Sequence, residues 1–480
     1  MSGSTMTVYA PVGVEAELDA FEFSSEELVI VEESKRARIV CIIPAYNEAE
    51  TIESVLEGLL AQTRLPDAVH VIINNSSDNS FELARAYAGE YSVERGDAIQ
   101  TTSIYVHDMG KVPDKKVGAL NYGFRLAEGA DFLLGVDGDT VMSPDALELM
   151  EAEVTSDPRI GGISAIYTVD NHTRNPVASL LLTGQRAQFA AFNLQNLLRG
   201  RNMAVLGGQS SIFRMSALRE VMAQYHQDTP WVSDSEVEDS LLSLQIKNLG
   251  YSTKISATAR AVVGGMDNIR ALDGQQVKWN YGAIDLMWPG QRGDTSGQPF
   301  HPNLRLRWIE NIGMLINIFT RVSFIALLLG SLSIEAFVFS PVWLIPPVVA
   351  SALNVRIAMS IKGRTWRDIL FAATMIPAEI YMWVRIGHFI RAWTKFLSKV
   401  RTDNWAAQAR AERGAGWAHL TPLIVAAAGI GALIYGWSTL PIIAQASILW
   451  VGWPLLAVLT ALQTLFMLRQ LLRRQYGYRA

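Results

Sequence analysis

The stretch at residues 131–139, DFLLGVDGD, joins a short apolar run directly to two carboxylates separated by one glycine. A short apolar run bounded by polar residues is typical of a strand buried on both faces. Two carboxylates at the end of such a strand can face the same cleft, and Mg²⁺ and Mn²⁺ prefer such hard oxygen ligands. Asp137 and Asp139 are therefore the first candidates for a catalytic site.

Strands and helices alternate around this stretch, which predicts an α/β domain with a mainly parallel sheet. Ligands of such sheets bind beyond the carboxyl ends of the strands. The polar pairs Asn47-Glu48 and Asn74-Asn75 fall at two of those ends, as do the two aspartates. The sequence predicts strands at 38–44, 68–73, 102–106 and 131–136, and helices at 49–62, 79–87 and 115–127.

Composition excludes several classes of protein. The 480 residues carry a formal net charge of −5, without the basic stripe that is typical of nucleic-acid-binding proteins. The single cysteine, Cys41, excludes an internal disulfide and a cysteine-based zinc cluster, and its apolar surroundings predict a buried thiol. Residues 1–34 hold eight acids and no lysine or arginine, so we expect a flexible acidic tail rather than a secretory leader.

The second half of the chain is dominated by apolar runs at 323–333, 337–353, 418–440 and 441–468. The later two have the roughly 20 residues needed to cross a bilayer, and the first gains length from 311–321. Basic residues concentrate in three segments, at 356–367, 391–413 and 473–479. Because such segments remain inside, four spans place them and the first 310 residues in the cytoplasm. We therefore expect a multi-pass protein of the cell membrane.

Residues 366–397 are apolar but carry several charges, which favours an amphipathic helix in the headgroup plane, broken near Pro377. A fifth span with a polar inner face is the alternative. The predicted organisation is an acidic tail at 1–36, a cytoplasmic α/β domain at 37–310 and a membrane domain at 311–480.

Two further motifs carry chemical groups. Glu238 and Asp239 open a predicted helix at 240–249, where acids either interact with the helix dipole or act as a general base. Gln275, Lys278 and Trp279 have the spacing of one helix face. An indole can stack on a sugar and a lysine can meet a pyrophosphate, although an ordinary amphipathic helix has the same pattern.

Taken in order, these motifs resemble the inverting family 2 glycosyltransferases of GT-A fold, in the membrane-bound branch of hyaluronan, chitin-oligosaccharide, poly-N-acetylglucosamine and cellulose synthases. The resemblance runs from about Val40 to Trp279 and includes the membrane architecture. The matching motifs are Ile43-Pro44-Ala45-Tyr46-Asn47-Glu48, Lys116-Val117-Gly118-Ala119-Leu120-Asn121, Asp137-Gly138-Asp139, Gly207-Gly208-Gln209-Ser210, Glu238-Asp239, and Gln275 through Trp279.

The resemblance implies a nucleotide-sugar donor, Mg²⁺ or Mn²⁺ as cofactor, a glycan or other hydroxyl acceptor, and attachment to the lipid bilayer. It also implies a role for each matching residue. The nucleotide would be bound by Pro44, Ala45, Tyr46, Glu48, Asn74, Asn75, Lys116 and Asp137, the metal by Asp139, and the pyrophosphate and acceptor by Gly208, Gln209, Glu238, Gln275, Lys278 and Trp279, with Asp239 as the catalytic base.

The sequence departs from the family pattern at two places. Asn74 and Asn75 replace the usual paired aspartates, yet an amide can still pair with the imide edge of uracil, so a UDP-sugar stays the expected donor. Lys278 replaces the usual arginine and lacks its bidentate fork, which leaves a processive synthase less well supported.

Three alternatives stay open to different degrees. A transferase that adds one sugar to a protein, lipid or surface glycan fits the same motifs. A polyprenyl-phosphate glycosyltransferase is disfavoured by the Gln275–Trp279 element. A transporter with a cytoplasmic regulatory domain is the most distant reading, because the spans carry few charges that could form an ion path.

Overall fold

The computed structural model describes residues 36–95, 98–288, 304–398, 404–414 and 416–472. The predicted acidic tail lies outside them except for its last residue, as do residues 399–403 and 473–479 of the predicted basic segments. From Arg38 onward the described residues form one compact unit. The predicted boundary at 310/311 falls inside a continuous helix, Arg305–Ser333, and the division into domains stays a prediction.

The described residues contribute nine strands to one sheet. In chain order they are β1 Ile39–Ala45, β2 Ala68–Ile73, β3 Gly89–Arg95, β4 Ala98–Asp108, β5 Phe132–Gly135, β6 Val141–Met142, β7 Ile160–Val169, β8 Ser211–Arg214 and β9 Ser252–Val263. Their order across the sheet is β3-β4-β2-β1-β5-β8-β7-β9-β6. Six strands share one direction, and β3, β8 and β6 run against them, which confirms the mainly parallel sheet.

Eight of the helices in the described residues belong to this α/β part, and seven follow it. The first group is α1 Ile52–Leu60, α2 Ser80–Arg85, α3 Lys115–Leu126, α4 Ala146–Thr155, α5 Pro176–Leu198, α6 Met215–Tyr225, α7 Glu238–Asn248 and α8 Ile269–Met287. The second group is α9 Arg305–Ser333, α10 Ile345–Ser360, α11 Trp366–Ala373, α12 Ile376–Leu397, α13 Asn404–Glu412, α14 Thr421–Thr439 and α15 Ile442–Leu471.

The centre of the sheet is buried because its strands are continuous apolar runs. Every residue of β1 is buried, and β2 has the bounds that the sequence predicts. Cys41 lies in this core, as expected, and burial raises the pKa of its thiol. Helix α3 packs closely on β1 and β2, since a Cβ on Gly123 would lie 2.7 Å from side-chain carbons of Ile42 and Ile72.

The sequence predicts only part of the sheet edge. The sequence predicts a strand only at 102–106, whereas β4 spans 11 residues and pairs antiparallel with β3. β3 lies at the edge and alternates exposed with partly exposed side chains. A strand of this kind has no continuous apolar run, so its sequence carries little signal.

Four helical segments of the described residues are long and apolar enough to cross a membrane: Arg307–Ser333, Pro341–Ser360, Ala418–Thr439 and Ile442–Arg469. This confirms four candidate spans and the extension of the first toward residue 311. Helices α11 and α12 are bent by 80° at a short break, and counted as one span they form a fifth candidate. The break precedes Pro377, as predicted, and Met375 within it has a φ of +60°. The headgroup location of 366–397 stays a prediction.

A buried ion pair joins the α/β part to the apolar helices. Arg186 of α5 lies 3.1 Å from Asp368 of α11, and their side chains are only 7% and 2% exposed. The same guanidinium donates to the carbonyls of Val169 and Gly363, at 2.8 Å each. Asn171 also donates to the Asp368 carboxylate, at 3.1 Å. A buried pair is retained only when its remaining polar groups are satisfied, and here several of them are.

We expect Asp368→Ala to destabilise the protein by about 3–5 kcal/mol, because it leaves the Arg186 guanidinium buried without its carboxylate. The measurement is the thermal unfolding midpoint of the detergent-solubilised chain. Asp157→Ala is the control, since its pair with Arg159 lies at the surface, and it should leave the midpoint nearly unchanged. Equal midpoints for the two variants would show that the buried pair adds nothing to stability.

Candidate active site

Asp137 lies at the carboxyl end of β5, where two contacts fix its position. Its backbone N–H donates to the carbonyl of Gly208 at 2.7 Å. Lys116, at the start of α3, places its Nζ 2.5 Å from Asp137 Oδ1. A Cβ on Gly208 would collide with the Asp137 carboxylate, and one on Gly264 would collide with that of Asp139. The two carboxylates therefore need glycine on the neighbouring loops.

Glu48 joins the two aspartates at this edge of the sheet. Burial and the charge of Asp139 raise the pKa of Glu48 to about 8, and burial and Asp137 raise that of Asp139 to about 6. The Thr51 hydroxyl lies 2.8 Å from both Glu48 Oε2 and the carbonyl of Gly138. The hydrogen bond that this hydroxyl donates to Glu48 lowers the Glu48 pKa and so opposes part of the rise that burial causes.

Asp239 lies in the first turn of α7 and is held by Trp231. The indole Nε1 donates to Asp239 Oδ1 at 3.2 Å, and Trp231 is itself fully buried. Asn121 fixes the tryptophan, because its amide donates to the Trp231 carbonyl at 2.7 Å and accepts from the Trp231 N–H at 3.2 Å. Helix α3 thus positions two parts of the site: its Lys116 contacts Asp137, and its Asn121 holds the tryptophan that contacts Asp239.

The electrostatics link these groups. Burial, together with the charge of Glu238, raises the pKa of Asp239 to about 7, against the attraction of Lys116. Burial lowers the pKa of Lys116, but the carboxylates of Asp137, Asp239 and Glu238 outweigh burial and hold that pKa well above its ordinary value. Asp239 is therefore poised to accept a proton near neutral pH, and Lys116 stays charged.

Helix α8 brings the Gln275–Trp279 element toward the same carboxylates. Lys278 is only 6% exposed, and burial lowers its pKa to about 7 against the attraction of Glu238. Trp279 is 41% exposed, with its ring 6.5 Å from that of Phe189. Gln275 has a buried Oε1 without a hydrogen-bond partner among the described residues. The lysine therefore faces the site interior, while the indole presents an open face.

The expected nucleotide side of the site is built at the ends of β1 and β2. Pro44 and Ala45 are buried at the end of β1, and Tyr46 is half-buried. The Asn75 amide is occupied by the protein, since it donates to the Val112 carbonyl at 3.2 Å and accepts from Asn74 at 3.1 Å. Asn75 therefore secures the loop after β4. Base reading by these two residues stays a prediction.

The Gly207–Ser210 loop lies behind Asp137. The Gly208 carbonyl accepts from the backbone N–H of Ser210 as well as from that of Asp137, both at 2.7 Å. The amide of Gln209 lies 3.4 Å from the Ser164 hydroxyl on β7. The structure therefore brings Gly208 into the carboxylate cluster and directs Gln209 toward the sheet.

Three supporting residues have no signal of their own in the sequence. Thr51 contacts Glu48, Trp231 contacts Asp239, and Gly264 leaves space for Asp139. Trp231 depends on Asn121, which lies 110 residues away along the chain. No periodicity or spacing indicates such a distant contact.

An α/β domain with a mainly parallel sheet and a carboxylate pair at a strand end is the architecture of the GT-A fold. Two family descriptions match the chain: "Glycosyl transferase family 2" over residues 40–222 and "Glycosyl transferase family group 2" over residues 132–357. The chain is therefore similar to the family 2 glycosyltransferases over these residues, and curated polysaccharide synthases are among its relatives.

Among the curated relatives is the poly-β-1,6-N-acetyl-D-glucosamine synthase of Staphylococcus epidermidis, 24% identical over 276 residues, which are 56% of this chain and 60% of that protein. The enzyme of the same name from Staphylococcus aureus is 24% identical over 253 residues, 52% of this chain and 55% of that protein. The chain thus spans somewhat more than half the length of these relatives.

One similar solved structure is the mannosyltransferase PcManGT from Pyrobaculum calidifontis, in complex with GDP-Man and Mn²⁺. It is 17% identical, with a TM-score of 0.44, and the alignment covers 76% of this chain and 89% of that one.

The raised pKa of Glu48 predicts a pH-dependent effect of Glu48→Gln on stability. Between the ordinary glutamate pKa of about 4.3 and the folded value of about 8, the folded chain holds a proton that the unfolded chain has lost. Wild-type stability therefore falls as pH rises through this window, whereas glutamine has no proton to lose. We expect the difference between the unfolding midpoint of Glu48→Gln and that of the wild type to increase in favour of the variant from pH 5 to pH 8, in metal-free buffer.

Glu50→Gln is the matched control for this experiment, because Glu50 is exposed two residues away. Its midpoint should follow the wild-type pH profile. A constant difference between Glu48→Gln and wild type over this pH range would contradict the raised pKa.

Proposed function

We propose that the protein transfers a sugar from a nucleotide-sugar donor, most simply a UDP-sugar, to a hydroxyl of a glycan or other acceptor at the membrane surface. The observation that carries this proposal is the placement of Asp239. It is a buried carboxyl with a pKa of about 7, held by Trp231, in the same electrostatic cluster as Lys116 and Asp137.

Asp239 would act as the general base. A base whose pKa lies near the working pH is largely deprotonated yet still binds a proton well enough to remove it from a hydroxyl. The Trp231 indole is a donor only, so it orients the carboxylate without competing for the acceptor proton. Attack on the face opposite the departing diphosphate inverts the anomeric carbon, so an α-linked donor gives a β-linked product.

Two lysines would stabilise the leaving diphosphate. Lys116 stays charged because carboxylates surround it, and it can exchange part of its contact with Asp137 for a phosphate oxygen. Burial lowers the pKa of Lys278 to about 7. An arriving phosphate would favour its charged form, since nearby negative charge raises a lysine pKa. Preorganised charges of this kind act where the transition state develops negative charge.

The residues present fit a divalent cation, Mg²⁺ or Mn²⁺. No group of three or more His, Cys, Asp or Glu side chains forms a complete metal site in the described residues. Mg²⁺ usually binds through one or two carboxylates plus substrate phosphates, and Asp139 with its neighbour Asp137 supplies that set. Burial and the charge of Asp137 raise the pKa of Asp139, and a bound cation would relieve the repulsion between the two carboxylates. When bound, the metal would offset charge on the diphosphate.

The donor sugar is proposed from the relatives. The staphylococcal proteins are poly-β-1,6-N-acetyl-D-glucosamine synthases by name, and the similarity covers 60% and 55% of their lengths. UDP-N-acetylglucosamine is therefore the first donor to test, with a β-linked glycan as product. The half-exposed Trp279 would offer a stacking surface to the acceptor sugar.

One observation favours a second candidate, a transferase that adds a single sugar. Lys278 replaces an arginine of the family pattern, is buried, and has a lowered pKa. It therefore holds a pyrophosphate less firmly than a bidentate guanidinium would. Product length distinguishes this candidate from a polymer synthase.

We also propose a multi-pass membrane location with the catalytic domain in the cytoplasm. Four candidate spans support the first part, and the basic segments at 356–367 and 391–413 support the second. A nucleotide-sugar donor is then available on the side where the site lies.

The central test is turnover by the full chain purified in detergent. The wild type should release UDP from UDP-N-acetylglucosamine or another UDP-sugar in the presence of Mn²⁺ or Mg²⁺. Asp239→Asn removes the base while keeping the shape, and should lower kcat by a factor of about 10²–10⁴ with a small change in donor KM.

Asp228→Asn is the control, because Asp228 is an exposed acid that precedes Trp231 on the same loop. It should retain wild-type turnover. Absence of UDP release from every UDP-sugar, or equal kcat for Asp239→Asn and wild type, would overturn the proposed function.

A further inference from the structure

Two segments far apart in the chain meet where the second candidate span ends. The span Pro341–Ser360 is followed by the loop 361–365 and then by α11. Arg367 Nη1 of α11 donates to the carbonyls of Asn171 and Thr173, at 2.8 and 3.1 Å. The segment 170–175, which leads into α5, is thereby held against the loop that leaves the span.

The surface formed here is strongly basic. Lys362, Arg364 and Arg174 are exposed, and none of the three forms an ion pair within the described part of the chain. Between residues 341 and 378 the only acid in the sequence is Asp368, which is buried against Arg186. The nearby Asp170 is in contact with His172. The exposed Asp170 offsets one of these positive charges, and the surface keeps a net positive charge.

The loop that presents these charges is well ordered by its contacts. The Gly363 carbonyl accepts from Arg186 at 2.8 Å, and Gly363 itself has a φ of +71°. Thr365 and Asp368 form a capping box at the start of α11. Lys362 and Arg364 thus flank a fixed residue and project from a defined turn.

Trp366 indicates what this surface faces. Its side chain is 71% exposed, although it is a large aromatic residue, and the Arg367 guanidinium lies 5.8 Å from its ring centre. Exposed tryptophans next to a span are typical of the membrane–water interface, where basic side chains meet lipid phosphates. A soluble anion would not account for the exposed indole.

We propose that Arg174, Lys362, Arg364 and Trp366, here called the basic rim, bind the headgroup of an anionic phospholipid. This inference rests on the membrane placement proposed above and not on the transferase chemistry. The rim is continuous with α5 through Arg367 and Asn171, and α5 carries Phe189 beside Trp279. A bound lipid would therefore steady the catalytic domain against the bilayer.

The test uses the full chain, delipidated in detergent and titrated with phosphatidylglycerol or phosphatidylcholine, with retained lipids counted by native mass spectrometry. The wild type should retain phosphatidylglycerol preferentially. The triple variant Arg174→Gln, Lys362→Gln, Arg364→Gln should lose this preference by on the order of tenfold or more, since each basic residue near a lipid surface contributes several-fold. Glycerol 3-phosphate, the headgroup chemistry without acyl chains, should not displace the lipid.

A second triple variant, Arg85→Gln, Arg125→Gln, Arg219→Gln, removes the same number of charges from exposed sites on the catalytic domain and should behave as wild type. If the triple variant of the basic rim does not fold, the three single variants replace it, and each should lose a smaller part of the preference for phosphatidylglycerol. Equal retention of phosphatidylglycerol by the rim variant and the wild type would overturn the inference. Displacement by glycerol 3-phosphate would overturn the assignment to lipid.

UDP release measured on the same samples separates this inference from the proposed function. Selective lipid retention without turnover of any donor supports the basic rim and contradicts the transferase. Turnover without selective retention contradicts the basic rim alone.

Discussion

The carboxyl groups of Glu48, Asp137, Asp139 and Asp239 lie close together with Lys116 beside Asp137, and the rest of the site depends on their burial and mutual repulsion. Burial and like charge raise the pKa values of Glu48, Asp139 and Asp239 to about 8, 6 and 7. Such crowding costs stability, because each group would be charged at neutral pH in water. Perturbed acids of this kind are concentrated at functional sites, where a substrate or cation provides the missing compensation.

The scaffold holds this cluster with contacts that are not catalytic. Helix α3 contacts both sides of this cluster. Its Lys116 pairs with Asp137, and its Asn121 holds Trp231, which donates to Asp239. Glycine at 208 and 264 leaves room for the carboxylates of the aspartates. The Arg186–Asp368 pair and the contact of α8 with α12 then fix the domain on the apolar helices. The strand ends therefore supply the acids, and the helices determine their spacing.

Strands such as β1 and β2, and the candidate spans, can be predicted because their residues form continuous apolar runs in the sequence. The edge strand β3 is not predicted, since its exposed and partly exposed positions alternate, and no strand is predicted beyond residue 136, where β6 to β9 lie. The sequence predicts the acids of the candidate site from their positions after strands and at a helix start, and the structure places them near one another. Their partners could not be predicted, because the contact from Asn121 to Trp231 spans 110 residues. Asn75 illustrates a second limit: its amide serves the loop at Val112, which no sequence pattern indicates.

The most direct test of this account measures Mn²⁺ binding to the full chain without turnover. Electron paramagnetic resonance reports the concentration of free ion at pH 6 and pH 8, with and without UDP. Wild type should bind Mn²⁺ more tightly at pH 8, because protons and metal compete for the same carboxylates, and more tightly with UDP. Asp139→Asn should lose this binding, while Asp145→Asn, at an exposed acid nearby, should keep it. Binding that is independent of pH, or unchanged in Asp139→Asn, would contradict the account.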